Sequence, residues 1–230
     1  EITVWAKEFT LLAKSLRPLP EKFHGLQDPE IRFRQREVDL IANQNVKKTF
    51  LLRSKIVSTI REFLDAKGFV EVDIPTLQPV YGGANAKPFK THINAWNMDL
   101  FLSISPELYL KRLIVGGYEK VYTICKNFRN EGADKTHNPE FTSMECYLSG
   151  ADYTDMMALT EELYEFVCKN VLGTTEVEYQ GKKLSFKTGW KRLTMFEALK
   201  KYGDVDVQKL SDKELFALLE KNKIRECIFH

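Results

Sequence analysis

The chain has 230 residues, 43% of them hydrophobic and 12% aromatic, enough for one substantial core, or one core with a small appendage, in a globular protein. Its 34 Lys+Arg against 32 Asp+Glu give a formal net charge of +2, far from the basic excess that alone announces a nucleic-acid binder. No apolar run is long enough to span a bilayer, residues 1–6 lack the pattern of a signal peptide, and Cys125, Cys146, Cys168 and Cys227 form neither a C-x-x-C pair nor a cluster with histidine. The expectation is a cytoplasmic protein with reduced thiols and no membrane.

Residues 1–13 alternate and are rich in Val, Trp, Phe and Leu before Arg17-Pro18-Leu19-Pro20 interrupts any regular element, which reads as the last strand of something larger followed by a linker. Asp28-Pro29 supplies a cap and a first-turn proline for one charged surface helix through about Leu40. A second helix carries Leu52, Ile56, Ile60, Phe63 and Leu64 on one face and ends at Gly68, where a left-handed cap is wanted. Val70, Val72 and Ile74 then alternate as a strand that Pro75 stops.

Phe89–Asn94 and Asp99–Ile104 read as two strands joined near Ala95-Trp96-Asn97, and Ser105-Pro106 opens a short helix ending at Gly116-Gly117. Glu119–Phe128 and Phe141–Leu148 form a hairpin whose polar loop is too long for a tight turn, and such loops tend to be functional. A helix from Asp152 to about Asn170 and a small hairpin turning at Tyr179-Gln180-Gly181-Lys182 follow. Capping-box spacings at Thr194 with Glu197 and at Ser211 with Glu214 start two more helices. The fold class is α+β: a mostly antiparallel sheet with helices packed against it. Neither G-x-x-x-x-G-K-[ST] nor G-x-G-x-x-G is present, so a nucleotide would not be bound through those loops.

Chemistry concentrates between Arg129 and Tyr147. Arg129 offers a planar fork for carboxylate or phosphate oxygens and suits a transferring phosphoryl group. Phe141 offers a flat face for a purine, while Glu145 and Tyr147, two apart on a strand, share a side and make a receptor for an ammonium group. Singly, each residue has a plainer reading. Arg129 and Glu131 could be an exposed ion pair, Phe141 core packing, His137 a satisfied loop histidine, Glu107 an acid complementing a helix dipole, and Gly82-Gly83 a turn. Only the ordered combination overturns these.

That combination resembles the class II aminoacyl-tRNA synthetases, and among them the lysyl-tRNA synthetase family. Gly68-Phe69-Val70-Glu71-Val72-Asp73-Ile74-Pro75-Thr76-Leu77 and the helix before it look like motif 1, and Arg129 through Tyr147 looks like motif 2. The lysyl subgroup is suggested by Gly82-Gly83-Ala84 with Ala86-Lys87-Pro88-Phe89, by Pro106-Glu107-Leu108-Tyr109-Leu110-Lys111-Arg112-Leu113, and by the run from Arg129-Asn130-Glu131-Gly132 to His137-Asn138-Pro139-Glu140-Phe141-Thr142. The resemblance is strong from about Leu11 to about Glu162 and weaker over residues 171–230.

It implies lysine, ATP and lysine tRNA as substrates. Gly83 and Ala84 would border the amino-acid pocket, Glu107 would receive the α-amino group, and Glu145 and Tyr147 would hold the ε-ammonium. Arg129 would bridge the lysine carboxylate and the ATP α-phosphate, Glu131, His137 and Asn138 would contact the nucleotide, and Phe141 would stack on adenine. A homodimer through motif 1 is implied, as is Mg²⁺.

Motif 3 is not found before His230, so the resemblance expects a fragment whose Mg²⁺ ligands lie outside it, with no metal held by this chain. Residues 1–25 would be the end of an anticodon-binding barrel and a linker, and residues 26–230 the catalytic domain through part of the insertion after motif 2. Departures from the family's common forms are Ser103 in place of an arginine, Cys125-Lys126 and Ser149-Gly150. Competing readings are a lysyl-adenylate-forming relative that modifies a protein, and a noncatalytic paralogue acting as a binding module.

Overall fold

Asp28 begins the first helix of the larger unit, residues 1–186, by accepting the amides of Glu30 and Ile31 ahead of α1 (Pro29–Arg34). The computed structural model describes residues 2–17, 26–134 and 136–222. Contrary to the sequence expectation, α1 does not continue to Leu40. Gln35, at φ −119° and ψ 65°, breaks it, and α2 (Arg36–Ala42) starts afresh. Just past the break stands Asp39, whose carboxylate is fully buried. A buried carboxylate must be matched by charge and hydrogen bonds, and Arg32, Arg36 and Asn43 all reach this one.

α3 (Gln44–Ala66) ends where Gly68 takes φ +79°. Its predicted apolar face packs at the C-terminal half, where Phe63 and Leu64 are buried, whereas Phe50, Leu51 and Leu52 stay exposed. β1 (Val70–Glu71) is shorter than the alternation through Ile74 suggests. The Val72 amide still donates to Tyr122 O at 2.9 Å, after which the chain turns away towards Pro75.

β2 (Leu77–Gln78), β3 (Lys90–Ile93) and β4 (Met98–Leu102) form an antiparallel sheet in the order β2-β4-β3. Asn97, at φ 47°, makes the predicted turn between β3 and β4. After α4 (Glu107–Val115), the long hairpin of β5 (Lys120–Phe128) and β6 (Glu140–Leu148) pairs in register from Lys120 with Leu148 to Phe128 with Glu140. β1 adds to β5 in parallel, so this sheet is mixed.

The hairpin is the divider of the unit. Side chains alternate across a strand, and one face carries Tyr122, Ile124, Met144, Cys146 and Leu148 into the core with Phe63 and Leu64 of α3 and Leu163 of α5 (Tyr153–Leu172). The other face therefore carries Thr123, Cys125 and Asn127 opposite Glu145, Ser143 and Phe141. α5 opens on a capping box between Asp152 and Asp155 and closes at Gly173, and β7 (Glu176–Tyr179) pairs with β8 (Lys182–Ser185) as predicted.

Residues 2–17 contain no strand: Trp5, Phe9 and Leu12 are exposed. A strand exists only by pairing, and among the described residues none pairs with this segment. Pro18-Leu19-Pro20 and Cys227 lie outside the described residues.

The smaller unit, from Lys187, contains α6 (Met195–Gly203) and α7 (Asp212–Lys221). Thr194 and Glu197 cap each other's amides at 3.2 and 2.7 Å, and the Ser211 amide donates to Glu214 at 2.8 Å. Among the described residues no helix is long and apolar enough to cross a membrane.

Candidate active site

The far face of the hairpin meets the second sheet through the buried segment Ser103–Pro106. Ser103 joins the two: its amide donates to Thr76 O and its carbonyl accepts from the Phe128 amide, both at 2.8 Å. The Arg129 amide donates to Pro139 O at 2.9 Å and the Asn130 amide to Lys87 O at 2.7 Å. Three consecutive amides are thus tied down, which fixes where the Arg129 side chain leaves the backbone.

The Arg129 guanidinium carbon lies 5.1 Å from the centre of the Phe141 ring, a cation–π distance. One Nη approaches Ile104 O at only 3.5 Å, and the buried Nε has no hydrogen-bond partner among the described residues. Buried N–H groups are almost always satisfied, so an arginine with donors in hand is suited to an oxyanion. Arg129, Glu131, His137, Asn138 and Phe141 all line one cleft of about 250 Å³, with Gly132, Thr136 and Pro139. All five residues expected to touch the nucleotide are therefore together.

Asp134 shapes the loop over this cleft. Its carboxylate accepts from the Thr136 amide at 2.7 Å, the Thr136 hydroxyl at 2.8 Å and the His137 amide at 2.8 Å, and it pairs with the His137 ring at 2.9 Å. These bonds, the Thr136 amide first, hold its carboxyl well below the usual range. Glu131 is not paired with Arg129; its carboxylate accepts the Lys87 amide at 3.1 Å and so joins the loop to the segment before β3.

The expected lysine residues gather along the same hairpin face. Glu145 is half-buried and accepts a hydrogen bond from Ser105 Oγ at 3.3 Å. Ser105 Oγ also accepts the Glu107 amide at 3.2 Å. Gly83, at φ +85°, sits so close that a Cβ there would be 2.9 Å from Glu107 Cβ and 3.0 Å from Ser105 Oγ, so both its conformation and its neighbours require glycine. Ala84 follows it, half-buried. Glu107 also holds an ion pair with Lys111, one helical turn on.

Burial, with the Glu107 charge, pushes the Glu145 carboxyl above its ordinary value, and Ser105 and Arg129 act in the opposite sense. The Tyr147 phenol is pushed up to about 12 by burial and then by Glu107 and Glu145, so it stays neutral near pH 7. Two acids and a neutral phenol beside one another form a site that attracts a cation. Among the described residues no three His, Cys, Asp or Glu side chains converge on a metal position.

Sequence reading missed Ser105, whose only signal was helix initiation, and the polar packing around it. Ser103, noted only as a departure, is buried, with its Oγ 3.3 Å from both Asn127 Oδ1 and Ser105 O and one proton to give between them, while Asn127 Nδ2 donates to Ser143 Oγ at 2.6 Å. Nothing in a single sequence pairs Asn127 with Ser143; that follows from the hairpin register.

Residues 28–229 match the family described as tRNA synthetases class II (D, K and N). The chain is 55% identical over 223 residues to a lysine–tRNA ligase of Clostridium novyi (strain NT), covering 97% of this chain and 44% of that protein. It is 58% identical over 212 residues to that of Carboxydothermus hydrogenoformans, covering 92% and 43%, and 50% identical over 234 residues to that of Clostridium tetani, covering 99% and 47%. The chain thus spans less than half the length of these curated relatives. With its motifs in order and the expected nucleotide residues in one cleft, the chain belongs to the class II tRNA synthetases of the D, K and N group.

Proposed function

We propose that the protein activates lysine with ATP and transfers it to the 3′ end of lysine tRNA. The observation that carries the reading is the adjacency of the cleft around Arg129 and Phe141 to the acid pair Glu107 and Glu145. An aspartate pocket would need a cation where Glu145 stands, and an asparagine pocket neutral donors and acceptors. The names of the relatives above point the same way.

In this reading the α-amino group of lysine meets Glu107, and the ε-ammonium meets Glu145 and Tyr147. Gly83 and Ala84 border the pocket. Phe141 stacks on adenine, with Glu131, His137 and Asn138 around the nucleotide. The lysine carboxylate attacks the α-phosphorus of ATP and pyrophosphate leaves. Arg129 draws the carboxylate and the α-phosphate together and stabilises negative charge as it shifts; no catalytic base is required. The adenosine hydroxyl at the tRNA 3′ end then attacks the activated carbonyl and AMP departs. Positioning and a preorganised charge supply most of the acceleration in such chemistry. Mg²⁺ would enter as the ion that accompanies ATP.

The same reading makes the protein a homodimer whose interface includes α3 and the segment through Leu77. Support comes from the apolar side chains of Phe50, Leu51, Leu52, Val70 and Leu77, exposed in the single chain. It also makes the protein cytoplasmic, in keeping with the free thiols of Cys125, Cys146 and Cys168. The test is ATP–pyrophosphate exchange by the full-length protein against a panel of amino acids. Lysine alone should support it, and exchange with aspartate or asparagine but not lysine would overturn the specificity.

A further inference from the structure

Three of the expected pocket residues meet at a side chain that no catalytic role requires. Ser105 is buried, and its Oγ lies 3.3 Å from Glu145 Oε1, 3.2 Å from the Glu107 amide and 3.0 Å from where a Cβ on Gly83 would be. A hydroxyl has one proton to give. Here its oxygen accepts from the Glu107 amide, so the proton is free to point at the Glu145 carboxylate. The backbone that follows is placed as well, since Ser105 O lies 3.3 Å from Ser103 Oγ and Pro106 opens α4.

We propose that Ser105 is a positioning residue for lysine selection, its hydroxyl aiming the Glu145 carboxylate across the amino-acid pocket. The inference rests on the lysine-activating reading above. Alanine would preserve the backbone and the helix start but leave Glu145 without its one side-chain donor among the described residues. The groups acting on Glu145 are then Glu107 of α4, Arg129 just past the end of β5, and its neighbours Cys125, Cys146 and Tyr147. Of these only Arg129 favours the carboxylate form, so the Glu145 titration should move upward when the hydroxyl is removed.

Two measurements on full-length Ser105→Ala test this. In ATP–pyrophosphate exchange, KM for lysine should rise about tenfold, the scale of one hydrogen bond to a charged group, while KM for ATP and the melting temperature stay near the wild type. The acid limb of kcat/KM for lysine should move to higher pH. Independently of turnover, carbon-13 NMR of labelled glutamate, with Glu145 assigned from Glu145→Gln, should give a higher Glu145 pKa in Ser105→Ala. An unmoved Glu145 titration would overturn the proposal, as would equal rises in both KM values with a lower melting temperature. Absence of lysine-dependent exchange in the wild type would instead overturn the function on which lysine selection rests, whatever the titration showed. If Ser105→Ala does not fold, Ser105→Cys, which keeps a weaker donor at the same place, should give an intermediate shift, and none would again overturn the proposal.

Discussion

The guanidinium of Arg129 sits over the ring of Phe141 at 5.1 Å, with a buried Nε that has no hydrogen-bond partner among the described residues. A charge held mainly by an aromatic face and a distant carbonyl contributes little to folding but is available to a phosphate. Arg129→Ala should therefore lower adenylate formation by about a hundredfold or more while the melting temperature stays near the wild type. Exchange kinetics and calorimetry on the same preparation check both halves. Near-normal turnover would make Arg129 a structural residue.

Glu145 links pH to function and to stability in opposite directions. Its folded-state pKa is raised, so the folded protein binds this proton more tightly than the unfolded chain does. Its contribution thus favours folding in acid and is lost as pH rises through the folded-state pKa. Glu145→Gln should melt higher than the wild type near neutral pH, with the advantage vanishing in acid. Lysine use by the wild type should instead fail in acid, with a midpoint above the ordinary glutamate value of about 4.3. Parallel melting and kcat/KM profiles would reveal the crossing.

Gly83 and Gly173 share a left-handed backbone but not a neighbourhood. A Cβ on Gly83 would collide with Glu107 and Ser105, whereas one on Gly173 would meet nothing within 4 Å. Both alanine variants should lose roughly 1 kcal/mol or more of stability from backbone strain. Only Gly83→Ala should also raise KM for lysine. An equal effect of both variants on KM would remove Gly83 from the pocket wall.

The parts legible in sequence were those with local signals. Gly68, Asp152 and the Thr194–Glu197 box announce themselves through caps, and the alternation in β6 puts Glu145 and Tyr147 on one side without any structure. The burial of Asp39 was not legible: it looks like any surface acid until tertiary packing encloses it with two arginines. Ser105 was hidden for a related reason. Its partners are Glu107 nearby and Glu145 far along the chain, and only the packing of α4 against the hairpin brings the latter within reach. Residues 1–13 have the alternation of a strand, but alternation cannot supply a partner.

The loop between β5 and β6 depends on Asp134, which among the described residues gathers Thr136 and His137 but bonds to neither Arg129 nor Phe141. Asp134→Ala should loosen the cleft wall and raise KM for ATP by roughly threefold to tenfold, leaving KM for lysine unchanged. Steady-state kinetics with each substrate varied in turn separate the two. A change confined to lysine would place the loop on the wrong side of the site.

In the proposed function Glu145 is the counter-charge for the ε-ammonium of lysine, and lysine and ATP affinity in the wild type and in Glu145→Gln measure this directly. The amide keeps the shape and one acceptor of the carboxylate but not its charge. Loss of a charged partner at a half-buried site should weaken lysine binding by about ten- to a hundredfold, with ATP affinity changed by about twofold at most. Unchanged lysine affinity in Glu145→Gln would show that Glu145 does not face the ε-ammonium.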